Sequence, residues 1–122
     1  MTSTQFSYTR EDNWAKLPSS MKFGIMTGVT ADQSGNVYVG QQRQNPPILV
    51  FDKNGDYITG WGSEVIDEVH ILTIGTDGFL YAPDRGAHMV HKFDLSGNLA
   101  FSIGERRNPS DTGSWKNWEL KM

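Results

Sequence analysis

The side chains able to do chemistry fall in three short stretches. Gln42-Arg43-Gln44-Asn45-Pro46 carries one arginine and Val69-His70 one histidine. Asp84-Arg85-Gly86-Ala87-His88 carries a carboxylate, a guanidinium and a second imidazole, with His91 three residues on. Arg43 suits an anion, because a guanidinium grips a carboxylate through two parallel N–H bonds. His70 is a candidate metal ligand, yet a zinc site uses three or four protein ligands and one imidazole supplies one. Each residue also has an ordinary reading. His70 is then a loop histidine, Arg43 and Arg85 are solvated, and Asp84 ends a strand and hydrogen-bonds the loop backbone that follows. On a strand, His88 and His91 project to opposite faces and cannot share an ion, which leaves His91 facing outward. Trp14, Trp61, Trp115 and Trp118 read as packing residues rather than a stacking platform. The Gly-x-Ser-x-Gly elbow, the phosphate-binding loop and Gly-x-Gly-x-x-Gly do not occur, so a serine hydrolase and a nucleotide site have no support.

An internal repeat must position these residues. Val50-Phe51-Asp52-Lys53-Asn54-Gly55-Asp56 aligns with Lys92-Phe93-Asp94-Leu95-Ser96-Gly97-Asn98 at an offset of 42, and Trp61-Gly62 with Ile103-Gly104. Gly35 aligns with Gly78, and Val37-Tyr38 with Leu80-Tyr81, at an offset of 43. A period of that length suits one four-stranded blade of a β-propeller. Short runs rich in β-branched and aromatic residues lie between turn residues, at Val29–Asp32, Val37–Gly40, Ile48–Asp52 and Tyr57–Trp61. The second copy has them at Ile71–Ile74, Phe79–Asp84, Met89–Asp94 and Leu99–Ile103. Gly-containing turns such as Ser34-Gly35-Asn36 and Asn54-Gly55-Asp56 supply the positive φ of tight hairpins. No segment keeps a 3.6-residue apolar period over ten or more residues.

The expected fold is all-β, a partial β-propeller of about two four-stranded antiparallel blades. Residues 1–27 form an N-terminal segment, with one strand near Phe6 to Thr9. The first blade covers 28–68, the second 69–104, and 105–122 is a polar tail. The strands should start near 28, 37, 47 and 57, then near 70, 79, 89 and 99. Phe51 and Phe93 should be buried in equivalent places. The loops carrying Arg43 and Asp84-Arg85, and with them His70, should gather at one end, His70 at the mouth of a central channel. Two blades do not close a ring. Blade faces without neighbours need capping, so self-association through open faces is expected.

The 122 residues suffice for one domain with a modest core. A net charge of −3, with no basic run, argues against nucleic acid. No apolar stretch is long enough to span a membrane, and the first residues lack an apolar signal core. With no cysteine, disulfides and thiolate chemistry are excluded. The default compartment is the cytoplasm, although secreted bacterial proteins also lack cysteine.

Gly28-Val-Thr-Ala-Asp32, Gly35-Asn-Val-Tyr-Val39, Ile48-Leu-Val-Phe-Asp52, Gly55 and Trp61-Gly62 resemble NHL repeats. The wider order of motifs is Trp14-Ala-Lys-Leu-Pro18, Val37-Tyr-Val with Arg43, Val69-His70-Ile-Leu72, and Asp84 with His88-Met-Val-His-Lys-Phe93. Ile103-Gly104-Glu-Arg and Pro109-Ser-Asp-Thr-Gly113 follow. Across residues 6–113 that order resembles the N-terminal part of bacterial six-bladed NHL propellers related to peptidyl-α-hydroxyglycine α-amidating lyase. The resemblance implies zinc-dependent cleavage to glyoxylate and an amidated product. It implies that His70 is one of three zinc histidines and that Arg43 binds a small-molecule or peptide substrate. It also implies a structural calcium held partly by the backbone carbonyls of Val29 and Leu72. The family's other two histidines and its catalytic tyrosine belong to later blades, and the sequence departs from the pattern after Gly113. The expectation is therefore an enzyme incomplete by itself, whose isolated monomer holds neither zinc nor calcium. The other readings are a non-catalytic module that binds a protein or peptide, and a truncated product without a function of its own.

Overall fold

The computed structural model describes residues 4–109. Trp115, Trp118, most of the Pro109–Gly113 motif and most of the expected tail lie outside them. Eight strands form two four-stranded antiparallel sheets, and no helix occurs among the described residues. The first sheet has the order β1 (Ile25–Ala31), β2 (Val37–Gln42), β3 (Ile48–Phe51) and β4 (Tyr57–Trp61). The second has β5 (Thr73–Ile74), β6 (Leu80–Asp84), β7 (Met89–Phe93) and β8 (Leu99–Ile103).

Turn chemistry makes the hairpins. Asp32 Oδ1 accepts the N–H groups of Ser34 and Asn36 at 2.9 and 3.0 Å. Asp52 does the same for Asn54 and Asp56, and Asp94 for Ser96 and Asn98. Gly35, Gly55, Gly78 and Gly97 occupy the turn positions with φ between 79° and 93°, where a side chain would be strained.

The strand register decides what each face carries. In the first sheet Val37, Val39, Leu49 and Phe51 share one face, and Tyr38, Gly40, Ile48, Val50 and Trp61 share the other. In the second sheet Leu80, Ala82, His91 and Phe93 share one face, and Tyr81, Pro83, Val90, Lys92, Phe101 and Ile103 the other. The second sheet lies on the first. Tyr38, Ile48 and Val50 pack against Leu80, Ala82 and Phe93, with Ile66, Val69 and Leu72 of the connecting segment between them and the Trp61 ring 5.0 Å from that of Phe93. The opposite face of the first sheet is covered by Trp14, Leu17, Met21 and Phe23, packed on Leu49 and Phe51. Lys16 N–H bonds Gly55 O at 2.8 Å and fixes that cover to the hairpin.

The inner strands meet edge to edge. A Cβ on Gly28 would stand 2.8 Å from Leu72 N and 2.9 Å from Ile71 Cα, so only glycine allows this approach. Thr27 Oγ1 donates to Val69 O at 3.2 Å, and Ile74 N–H to Thr30 Oγ1 at 3.4 Å.

Three expectations need correction. Residues 6–9 form no strand; the N-terminal segment contributes side-chain cover and one isolated bridge from Lys16 to Asp56. β1 begins at Ile25 rather than near 28, because Ile25 and Met26 continue the ladder onto Gln42 and Gln41 past a bulge. β5 keeps only Thr73 and Ile74 of the expected 71–74, because the Ile71 and Leu72 backbone abuts Gly28 of β1. Strands 2 to 4 of each sheet start within one residue of their expected places. Phe51 and Phe93 are both buried in register-equivalent positions.

Candidate functional site

The connection from β4 to β5 and the loops after β2 and β6 meet at one end of the sheets. Their anchor is Asp84, which is 2% exposed at the end of β6. Its Oδ2 accepts the N–H of Asp67 at 2.8 Å, and its Oδ1 accepts those of Glu68 at 2.9 Å and Ala87 at 3.1 Å. His91 Nε2 lies 2.9 Å from the same Oδ2. Burial raises the Asp84 pKa, but these donors together outweigh it and hold the carboxyl below its ordinary value. The expectation of a structural Asp84 capping its loop is met, and the clamp reaches a second loop as well. The first sheet repeats the device with an amide. Gln41, at the matching position, accepts Gly24 N–H at 2.7 Å and donates to Pro46 O at 2.9 Å. Gly24 aligns with Asp67 at the same offset of 43 as Gln41 with Asp84.

His91 does not face outward. Its register opposite Ala82 and Ser102 places it on the face that meets the first sheet, and it is fully buried. At an offset of 42 His91 falls on Leu49, a core position, which was the signal available for its burial. Nor is His88 on a strand: it lies in the turn before β7, with φ 58°. Ser102 Oγ is 2.7 Å from His91 Nδ1, so Asp84, His91 and Ser102 form a chain in the order of a hydrolytic triad. A general base must reach substrate and leaving group. An imidazole with no solvent contact and both nitrogens engaged cannot, so this chain of bonds ties β6, β7 and β8 together.

Around the clamp lie the exposed groups. The Arg85 guanidinium grips Glu68 through Nε at 2.9 Å and Nη2 at 3.2 Å. These bonds hold the Glu68 carboxyl below its ordinary value; burial opposes them, and the charges of Arg85 and Arg43 assist. Arg43, with φ 65°, borders a recess with Gln42, Asn45, Ile66 and Asp67. Asp67 is engaged by Arg106 at 3.0 Å and Arg107 at 3.1 Å, and among the described residues Arg43 has no ion-pair partner. His70 is exposed at the approach to β5, its N–H on Pro83 O at 3.0 Å. It rims a shallow depression with Arg85 and His88 over a floor of Met89, Val90 and Ile103. Arg43, His70, Asp84, Arg85 and His88 therefore belong to one end of the molecule. Glu68 was not expected among them; it joins the two arginines electrostatically.

Val29 and Leu72 diverge in environment: Val29 is 66% exposed on β1, whereas Leu72 is packed in the core between the sheets. Among the described residues no three or more His, Cys, Asp or Glu side chains gather as a metal site. Trp14 and Trp61 pack as expected, although the Trp61 indole N–H is buried without an acceptor.

The clamp predicts an acid-sensitive fold. The Asp84 pKa is lower folded than unfolded, so its stabilisation is present above the ordinary value near 3.8 and is lost as pH falls through the lower folded value. Urea midpoints should decline from pH 6 toward strong acid, and Asp84→Asn should flatten that decline. Parallel declines in the two proteins would remove Asp84 as its source.

Neither protein-family models nor curated proteins provide a match for this chain.

Proposed function

We propose that the chain is a two-blade segment of an NHL-type β-propeller, related to the peptidyl-α-hydroxyglycine α-amidating lyases, that supplies part of a substrate-binding end. The observation carrying this reading is the way the units stack. The second sheet meets the first with the face that, in the first sheet, is covered by the N-terminal segment. Inner strands adjoin at Gly28 and Leu72, as blades around an axis require.

In this reading Arg43 receives the substrate carboxylate, and its lack of an ion-pair partner among the described residues supports that role. His70 would be one zinc ligand. Among the described residues the donor set does not fit zinc, since three protein ligands are the minimum and His70 has only His88 as an imidazole neighbour at the same depression. Val29 and Leu72 carbonyls would supply two of the six to eight oxygens calcium takes. The shortage of ligands favours a second reading, a non-catalytic module that binds a peptide or protein through Arg43.

Isothermal titration with a peptidyl-α-hydroxyglycine tests the shared part. The expected result is weak binding that Arg43→Ala reduces by about tenfold or more, the effect of losing a charge-assisted pair. Arg85→Ala should weaken binding less than Arg43→Ala does, because Glu68 already occupies that guanidinium. Equal binding by wild type and Arg43→Ala would overturn the role of Arg43. Zinc titration divides the two readings. Stoichiometric zinc in a monomer, lost in His70→Ala, would contradict the ligand count and favour the metalloenzyme. One zinc per three chains would make a trimer the leading form.

A further inference from the structure

We propose that Asn54, in the hairpin between β3 and β4, is a self-modifying site gated by the N-terminal cover, and that it loses its amide to the Gly55 nitrogen in molecules whose cover has lifted. The inference goes beyond the binding role of Arg43 and does not depend on it.

The chemistry needs this dipeptide and water. The Gly55 nitrogen gives up its proton and attacks Asn54 Cγ. The new C–N bond closes a cyclic imide, and the side-chain nitrogen leaves as ammonia. Water then opens the imide at one carbonyl or the other, leaving an aspartate or an isoaspartate at position 54. Nothing is oxidised or reduced. A glycine next in the chain favours the reaction, because no side chain hinders ring closure. Asn54-Gly55 is the one Asn-Gly pair in the sequence, and the second copy of the repeat has Ser96-Gly97 in its place, which carries no amide to lose.

The fold leaves the electrophile free and restrains the nucleophile. Asn54 is exposed, and its side-chain amide makes no hydrogen bond among the described residues. Gly55 is buried. Its N–H donates to Asp52 O at 3.0 Å, while Asn54 N–H donates to Asp52 Oδ1 at 2.8 Å. The cover adds the rest. Lys16 Nζ donates to Asn54 O at 2.9 Å and Lys16 N–H to Gly55 O at 2.8 Å. A Cβ on Gly55 would stand 1.9 Å from Trp14 O, so the cover lies directly on the glycine. A peptide nitrogen whose proton is engaged, in a peptide that cannot swing toward the side chain, is a poor nucleophile. The Asp52 bonds belong to a surface turn, which opens readily by itself. Lys16 and Trp14 tie that turn to the layer of Leu17, Met21 and Phe23 on Leu49 and Phe51. Lifting that layer is therefore what releases Gly55.

The other glycine-linked acid, Asp77-Gly78, is locked differently. A carboxyl must be protonated to cyclise. The Tyr81 hydroxyl, the Phe79 N–H and Lys92 hold the Asp77 pKa down to about 2, so it stays ionised.

The product acts back on the gate. An isoaspartate carries the main chain through one extra carbon. Lys16 Nζ still meets a carboxylate there, but Gly55 is displaced from Asp52 O and from Lys16 N–H. A molecule that has reacted should open its cover more often than before.

The full chain, folded at near-neutral pH or unfolded in urea, is followed by peptide mapping that separates aspartate from isoaspartate. Position 54 should react about tenfold slower or more in the folded chain, since reaction then waits on local opening. Lys16→Ala and Trp14→Ala should each raise the folded rate roughly threefold or more, and Phe101→Ala, away from the cover, should not. Lys16→Ala removes only exposed bonds and decides the matter if Trp14→Ala does not fold. Asn54→Ser should abolish the product. Purified isoaspartyl protein should exchange the Lys16 and Gly55 amide hydrogens faster than unmodified protein. Equal rates in folded and urea-unfolded chains overturn the proposal, as does a Lys16→Ala rate equal to wild type. Unchanged exchange in the modified protein overturns the effect on the gate. Binding at Arg43 is measured separately, so the two readings fail separately.

Discussion

Phe93→Ala should lower the stability of the folded chain by about 3–5 kcal/mol, the range for truncating a buried aromatic. The ring is 1% exposed, and it touches more than its own sheet. It meets Trp61 of the first sheet with ring centroids 5.0 Å apart and His91 of the second at 6.2 Å. Removing it leaves a cavity between two units, neither of which can collapse freely because Gly28 and Leu72 already hold them in backbone contact. A domain is stable by about 5–15 kcal/mol in all, so the loss consumes a large fraction. Equilibrium urea unfolding measures it. Phe101→Ala is the control, since that ring is half exposed on the open face and should cost much less. A Phe93→Ala loss below about 1 kcal/mol in a folded protein would contradict its place in the interface.

Asp84→Ala should cost about 3–5 kcal/mol, because it removes the centre of a buried hydrogen-bond network built on a carboxylate. The substitution strips acceptors from three backbone N–H groups and from His91 at once. Each buried donor left without a partner costs roughly 1–3 kcal/mol, partly recovered where water enters. The loss should also reach beyond β6. Asp67 and Glu68 belong to the segment that carries His70 into place, so hydrogen exchange at Val69 and His70 should accelerate. A variant with wild-type stability, and with exchange at 67–70 unchanged, would show that the clamp is dispensable.

How much of this was legible in the sequence follows from which signals are local. The hairpins were, because Asp-x-x-Gly turns act within five residues and strand alternation within the next five. Phe51 and Phe93 were, because the repeat alone pairs them. The sequence suggests a longer β5 because the feature that shortens it is tertiary: the backbone at Ile71 and Leu72 lies against Gly28. Residues 6–9 have a strand-like alternation but are exposed and pair with no strand among the described residues. His91 reads as outward when alternation is counted from His88, but His88 lies in the turn before β7; the offset that places His91 on Leu49 gives its buried face, where Asp84 supplies a partner. The grouping of Arg43, His70, Asp84, Arg85 and His88 at one end followed from loop topology alone. Glu68 did not, since its part depends on where the connecting segment turns back beneath Asp84.

The central claim is that the two copies of the repeat stack face to face, the first sheet's Trp61 on the second sheet's Phe93. A double-mutant cycle on Trp61→Ala and Phe93→Ala measures that contact across the boundary between the units. Aromatic pairs in such contact are worth about 0.5–1.5 kcal/mol beyond the area they bury. The expected coupling is of that size, with the double variant less destabilised than the sum of the two single ones. Strict additivity, within about 0.3–0.5 kcal/mol as for residues that do not touch, would mean that the sheets do not meet here and would contradict the account.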